Sequence, residues 1–154
     1  MSSREVLKYE DRLEHLIGYS PSDDSLDEFQ AHWARYLCVL VSGYIEIAIP
    51  AVLSTYTSAQ AGPFVISYVE KQLDHFHNPK FGRIIDLISA FNPAWADSIK
   101  TSSEGAIIDH VNSIVANRNQ IAHGRDTGVT LVRVRDWFTS AKALIRSLES
   151  LCDE

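Results

Sequence analysis

The chain has little cysteine and no excess of positive charge, and each shortage excludes a class of protein. Its 154 residues include two cysteines that lie far apart, so neither a disulfide framework nor a zinc site is expected, and a reducing cytoplasmic location is favoured. The 14 Lys and Arg residues are outnumbered by 20 Asp and Glu residues, which gives a net charge of −6. A broad basic surface for sequence-independent binding of nucleic acid is therefore excluded.

Several motifs that identify common enzymes are also missing. The sequence contains no Gly-rich phosphate loop, no Gly-x-Ser-x-Gly, no His-Glu-x-x-His and no Cys-x-x-Cys. We therefore expect neither a cofactor nor a metal ion.

The longest apolar run, residues 36–53, is about long enough to cross a membrane. It carries Glu46 in its middle and Pro50 near its end, and a charge at that depth is costly in lipid. The N-terminus is amphipathic and charged, unlike a secretory signal. We expect a buried core helix and no membrane anchor.

Apolar residues recur at intervals of three and four along most of the chain, which predicts an all-α protein. Residues 1–154 are long enough for one domain, a bundle of about five or six helices with short loops. The predicted helices cover 2–18, capped by Ser2; 25–62, capped by Ser25 and kinked at Pro50; 63–76; 84–91; a short turn over 94–100; 107–122, capped by Ser102 or Ser103; and 130–151. Residues 129–132 are the one stretch with a strand pattern.

Polar and ionisable residues crowd at the end of one otherwise apolar helix, where Arg118, Asn119 and His123 precede Gly124. Asn119 and His123 share a helix face, whereas Arg118 lies about 140° from His123 on an ideal helix. Two copies of the chain on a two-fold axis would let each histidine face the other arginine. An imidazole can exchange a proton with a ribose 2′-hydroxyl or a departing 5′-oxygen, and a guanidinium can hold phosphorane oxygens.

The same spacing also fits a structural role. A histidine near the last carbonyls of a helix is modestly favourable when it is charged, and Arg118 would then be a solvated surface residue. These residues alone are therefore also compatible with a helical scaffold that has no functional site.

The stretch Arg118-Asn119-x-Ile121-Ala122-His123-Gly124 resembles the Arg-x4-6-His motif of the HEPN superfamily, including the polar residue after the arginine. The apolar segment of residues 36–46, with its Gly-aromatic-x-Glu step, is similar to the long helix of small HEPN proteins, and residues 130–151 resemble their closing helix. The resemblance covers about residues 26–152.

This resemblance implies a two-fold homodimer with both motifs in one cleft, acting as a metal-independent endoribonuclease in toxin–antitoxin or antiviral defence. His123 would be the general acid and base, Arg118 would bind phosphate and Asn119 would support them. RNA would be the substrate, and an antitoxin or nucleotidyltransferase would be a further partner. A non-catalytic HEPN module that binds nucleotide, RNA or a protein is the alternative.

Two further residues are candidates for the same cleft. Glu46 needs a partner such as Arg118 or water, because an unpaired carboxylate is costly to bury, and a purely structural ion pair suits it equally. Arg125 stands where some HEPN toxins carry a tyrosine that a partner transferase modifies, so that regulation is not expected here. Arg125 could form a basic rim for RNA together with Arg133 and Arg135, or these arginines could make surface ion pairs.

Overall fold

The computed structural model describes residues 3–19 and 27–154, and every regular element in these two stretches is an α-helix. The all-α prediction is confirmed. The helices are α1 (Arg4–Gly18), α2 (Asp27–Gln60), α3 (Pro63–Leu73), α4 (Phe81–Phe91), α5 (Pro93–Ser102), α6 (Gly105–Ala122) and α7 (Leu131–Asp153).

The described residues thus form seven helices where the sequence predicted five or six. The short turn of helix expected over 94–100 is the longer, ten-residue helix α5, because Asn92 Oδ1 accepts a hydrogen bond from the Ala94 N–H and Pro93 takes the first helical position. No strand forms at residues 129–132, since α7 already begins at Leu131.

The helix starts follow local capping chemistry, with one prediction wrong. The hydroxyl of Thr130 caps α7 by accepting a hydrogen bond from the Arg133 N–H at 3.2 Å. This agrees with the predicted helix start at residue 130. Helix α6 instead begins after Glu104, which makes no capping bond with its side chain. The predicted caps Ser102 and Ser103 end α5, where the Ser103 N–H donates to the Ile99 carbonyl at 2.9 Å.

The other two predicted caps, Ser2 and Ser25, lie outside the described residues. At the start of α1 the hydroxyl of Ser3 accepts a hydrogen bond from the Val6 N–H at 3.2 Å. Ser3 is therefore the N-cap of α1, one residue after the predicted cap Ser2.

Helix α2 is the central element, since α1, α3, α6 and α7 all pack against it. An 18-residue window of this helix has a mean hydropathy of 2.0, so α2 is long and apolar enough to cross a membrane by length and composition. The bundle buries 56% of that window. Its fully buried side chains include Leu37, Val41, Tyr44, Ile45, Ile49 and Leu53.

Pro50 lies inside α2, which continues past it to Gln60. Proline has no N–H, so it cannot donate to the carbonyl of Glu46 one turn earlier. The prediction that the helix continues past this proline is confirmed, since α2 has ten further residues and α3 packs against α2.

A buried polar network joins α1 to α2 and α7. Glu10 on α1 is 4% exposed; one of its carboxylate oxygens accepts from the Tyr44 hydroxyl and the other from Arg146. Burial raises the pKa of Tyr44, and the hydrogen bond to Glu10 raises it further. Glu10 and Tyr44 are buried while Arg146 is partly exposed, and the two hydrogen bonds to Glu10 fix how α1 lies across the other two helices.

Candidate functional site

Arg118 and Asn119 occupy the last turns of α6, where both side chains are half-buried. The Arg118 guanidinium donates from Nη1 to Asn119 Oδ1 at 3.3 Å. This bond turns the arginine towards the asparagine although the two residues are adjacent on the helix. Arg118 makes no ion pair in the described part of the chain, so its charge is available to an anion.

Asn119 is in turn held by Asn78, a residue of the loop between α3 and α4. Asn119 Nδ2 donates to Asn78 Oδ1 at 3.1 Å, and the backbone N–H of Asn78 donates to Glu46 Oε1 at 3.4 Å. A line of hydrogen bonds thus runs from Glu46 on α2 through Asn78 and Asn119 to Arg118. Elements distant in sequence are fixed around one small polar region.

The loop takes this shape because of the Asn78-Pro79 pair. Asn78 has φ 56°, in the left-handed region that asparagine tolerates better than most residues. Its carbonyl accepts from the Lys80 N–H at 2.8 Å across the buried Pro79, which closes a three-residue turn. The first N–H of α4, at Phe81, then donates to Asn112 Oδ1 on α6 at 3.0 Å, so the turn is attached to α6 as well.

Glu46 is half-buried, and its contact differs from the expected one. Its carboxylate meets the Asn78 backbone, and no ion pair joins it to Arg118 among the described residues. The charge of Glu46 also reaches α1: burial raises the pKa of Tyr9, the charge of Arg12 lowers it, and that of Glu46 raises it. Glu46 is therefore linked to Arg118 indirectly, through Asn78 and Asn119, and not by an ion pair with the guanidinium.

His123 is exposed and forms the C-cap of α6. Its backbone N–H donates to the carbonyls of Asn119 and Gln120, and Gly124 follows with φ 70°, which ends the helix. Within the described residues no hydrogen bond or ion pair links the imidazole to Arg118, Asn119 or Glu46. The structure thus brings Arg118, Asn119 and Glu46 into one network and leaves the histidine open to solvent beside it.

Arg125 is exposed and folds back along α6, donating from Nη1 to Gln120 Oε1 at 3.3 Å. Arg133 donates to the Gly128 carbonyl at 3.2 Å. Asp126, the residue after Arg125, lies 3.7 Å from Arg35 of α2. The ion pair of Asp126 with Arg35 therefore joins the loop after α6 to α2. The side chain of Arg125 lies next to the last turn of α6.

Asn78 is the site residue that sequence analysis missed. It follows the predicted end of a helix at residue 76, and an asparagine before proline is typical of a fixed turn. Nothing in the spacing indicates that this turn would reach α6. The described residues also hold no cluster of three or more His, Cys, Asp or Glu side chains that could bind a metal ion.

An all-helical fold with an Arg-x4-His sequence at the end of α6 defines the class, a HEPN-type domain. A family model described as RiboL-PSP-HEPN matches residues 4–154, and the chain therefore belongs to this family. The resemblance found in the sequence is confirmed at the level of the family. No curated protein and no solved structure matches the chain.

Proposed function

We propose that the protein is a metal-independent endoribonuclease whose active site includes Arg118, Asn119 and His123. The observation that carries this proposal is the geometry at the end of α6: a guanidinium without a carboxylate partner, oriented by an amide, lies in the last turns of the helix whose C-cap is the exposed His123. These are the groups that a phosphodiester needs for charge stabilisation and proton transfer.

The proposed reaction is attack of the ribose 2′-hydroxyl on the adjacent phosphorus. One imidazole accepts the hydroxyl proton while the new oxygen–phosphorus bond forms. The bond to the 5′-oxygen breaks, and a second imidazole gives that oxygen a proton, which leaves a 2′,3′-cyclic phosphate and a 5′-hydroxyl. Arg118 holds the non-bridging oxygens by charge-assisted hydrogen bonds, and Asn119 keeps the guanidinium in place.

A second copy of the chain completes this arrangement. One chain supplies one His123, whose imidazole makes no hydrogen bond to Arg118 or Asn119 in the described chain, whereas the reaction uses an acid and a base. A two-fold homodimer would bring two histidines and two arginines to one cleft. The positive charge would then be concentrated on a single phosphate, which reconciles RNA binding with a net charge of −6.

The biological setting follows from membership of a HEPN family and belongs to the same proposal. A toxin–antitoxin or antiviral role in the cytoplasm would pair the enzyme with an antitoxin or another controlling protein. Arg125 occupies the position of the tyrosine that a nucleotidyltransferase modifies in some HEPN toxins, so control by inhibitor binding suits this chain better than control by that modification.

The test is cleavage of single-stranded RNA by the purified protein in EDTA. We expect products with 2′,3′-cyclic phosphate ends, and a loss of at least about 100-fold in rate for His123→Ala and for Arg118→Ala. His15→Ala is the matched control, because His15 is an exposed histidine on α1. Its rate should equal that of the wild type.

Equal cleavage by the wild type and His123→Ala would overturn the proposal. If the wild type binds RNA tightly and leaves it intact, and the Arg118→Ala variant no longer binds it, the protein is the non-catalytic binding module instead. The guanidinium–amide pair would suffice for that role, since binding alone does not need a group that exchanges protons.

A further inference from the structure

An open cavity of about 640 Å³ lies beside the candidate site. It is bounded by the turn before α4, by the first turn of α4 and by α6. Its lining residues are Asn78, Lys80, Gly82, Arg83, Asn112 and Ala116. A volume of this size is within the range that holds a nucleotide-sized ligand.

Two cations line this cavity and no carboxylate does. Lys80 is exposed, and its ammonium group makes no hydrogen bond or ion pair with any described residue. Arg83 donates from Nη2 to the His75 carbonyl at 3.4 Å, which orients the guanidinium and leaves its other donors unused. Asp86 lines a neighbouring cavity together with Arg83, yet no ion pair joins the two in the described chain.

The cavity and the candidate site share Asn78. This residue lines the cavity, and its side chain accepts the hydrogen bond from Asn119, the neighbour of Arg118. Gly82 leaves the wall open, since a side-chain carbon at this position would have no atom within 4 Å. Asn112 keeps its Nδ2 donors, because only its Oδ1 is used by the Phe81 N–H.

We infer that this cavity binds the RNA backbone phosphate that flanks the one being cleaved, through Lys80 and Arg83. The inference rests on the proposed ribonuclease function, to which it adds a second phosphate contact. An ammonium and a guanidinium without carboxylate partners, next to an amide donor, form the set that recognises phosphate oxygens. The enzyme would then act faster on longer RNA than on a dinucleotide.

The first test measures binding without cleavage. A fluorescein-labelled single-stranded hexanucleotide with 2′-O-methyl groups throughout has no attacking hydroxyl, so its anisotropy reports binding alone. The double variant K80A/R83A should raise the Kd about tenfold or more, and it should reduce the slope of log K against log salt by about 0.7, which corresponds to one phosphate contact on a single strand.

The matched control is R4A/K8A, which removes the same two charges from exposed positions on α1. Its Kd should stay within about twofold of the wild type at moderate salt. Equal losses in the two double variants would overturn the inference, because they would show an effect of net charge alone. An unchanged salt slope in K80A/R83A, or no detectable binding to the wild type, would overturn it as well.

The second test uses cleavable RNA of two lengths. The loss of kcat/KM in K80A/R83A should be much larger for a hexanucleotide than for a dinucleoside monophosphate, which has no flanking phosphate. Equal losses on both substrates would contradict a flanking-phosphate site.

The two tests separate this inference from the proposed function. If the wild type does not cleave RNA, the ribonuclease proposal fails, while the anisotropy measurement still decides whether the cavity binds a phosphate chain. If the wild type cleaves RNA and K80A/R83A binds it normally, only the cavity assignment fails.

Discussion

Asn78 makes three separate contacts from one exposed position. Its side chain meets Asn119 on α6, its N–H meets Glu46 on α2, and its carbonyl meets the Lys80 N–H. The two backbone contacts depend on φ 56°, whereas the side-chain contact depends on the amide. Substitutions can therefore separate the shape of the turn from the hydrogen bond to the site.

We predict that Asn78→Ala is less stable than Asn78→Gly by about 1 kcal/mol, because alanine resists the left-handed region and glycine does not. Both variants lose the amide that holds Asn119, so both should lower the rate of RNA cleavage to a similar extent. Urea unfolding and the cleavage assay measure the two effects. Equal stability of the two variants would show that the turn does not require its positive φ.

The two thiols are predicted to be slow to react. Burial raises the pKa of Cys38 to about 12, and burial together with the charges of Asp153 and Glu149 raises that of Cys152 to about 11. At pH 8 the thiolate fraction is then only about one in ten thousand for Cys38 and one in a thousand for Cys152. A chromogenic disulfide reagent should label both thiols in urea and neither within minutes in the native protein. Rapid native labelling that persists in Cys152→Ala would contradict the burial of Cys38.

At the scale of helices, α1 and α7 are joined by two ion pairs that differ in burial. Arg146 binds Glu10, whose side chain is 6% exposed, while Lys142 lies 2.9 Å from Glu14, whose side chain is 53% exposed. Lys142 also lies over the ring of Phe138. Arg146 also lies 3.4 Å from Glu149 of α7, whose side chain is 7% exposed, so it neutralises two buried carboxylates where Lys142 meets one exposed carboxylate.

Arg146→Met should destabilise the protein by about 2 kcal/mol, because it leaves a buried carboxylate without its cation; the partial exposure of Arg146 keeps the loss below that of a fully buried pair. Lys142→Met removes a surface pair and a cation–π contact and should cost at most about 1 kcal/mol. Urea unfolding gives both values. A larger loss for Lys142→Met would refute the argument from burial.

Helices α1 and α2 approach closely at Gly43. A side-chain carbon at this position would lie 2.9 Å from the Tyr9 hydroxyl, which donates to the Leu40 carbonyl at 3.3 Å. Alanine within a helix is favoured over glycine by about 1 kcal/mol, but here the tyrosine must move and its hydrogen bond must weaken.

Without the Tyr9 hydroxyl, the higher helix propensity of alanine at position 43 should increase the stability of the protein. We predict that Gly43→Ala is more favourable by about 1 kcal/mol in a Tyr9→Phe background than in the wild type. Thermal or urea unfolding of the four proteins of this cycle gives the coupling energy. A coupling energy near zero would mean that α1 moves aside without cost.

The elements could be predicted because their determinants are local. Pro63 and Thr130 mark helix starts whatever the rest of the chain does, and apolar spacing identifies the buried face of α2. The cap of α6 was mispredicted because Ser103 serves the preceding helix, and spacing cannot assign one residue between two adjacent ends. Arg118 and Asn119 were found from a motif, whereas the link from Asn78 to Asn119 spans 41 positions and only the folded chain creates it.

At the scale of the whole molecule, the proposed dimer makes a prediction of its own. If the two His123 imidazoles act in one cleft, one as base and one as acid, a dimer needs both histidines to cleave RNA. Exchange of subunits between equal amounts of wild type and His123→Ala should therefore halve the activity, since wild-type dimers fall from half of all dimers to a quarter and the mixed dimers are inactive.

His15→Ala mixed with the wild type is the control, because its mixed dimers keep both His123 side chains and exchange should leave the activity unchanged. If exchange with His123→Ala also leaves the activity unchanged, each active site works with the histidine of one chain alone.

The central position of α2 also sets an order of events during synthesis. Tyr44 of α2 packs edge-on against Phe138 of α7, and α7 begins 71 residues after α2 ends. Until α7 has been made, a helix with an 18-residue window of mean hydropathy 2.0 lacks the cover of that partner. The nascent chain therefore carries a segment with the hydropathy of a membrane span while residues 61–130 are made, and such a segment has the apolar character that chaperones and the membrane-insertion machinery bind.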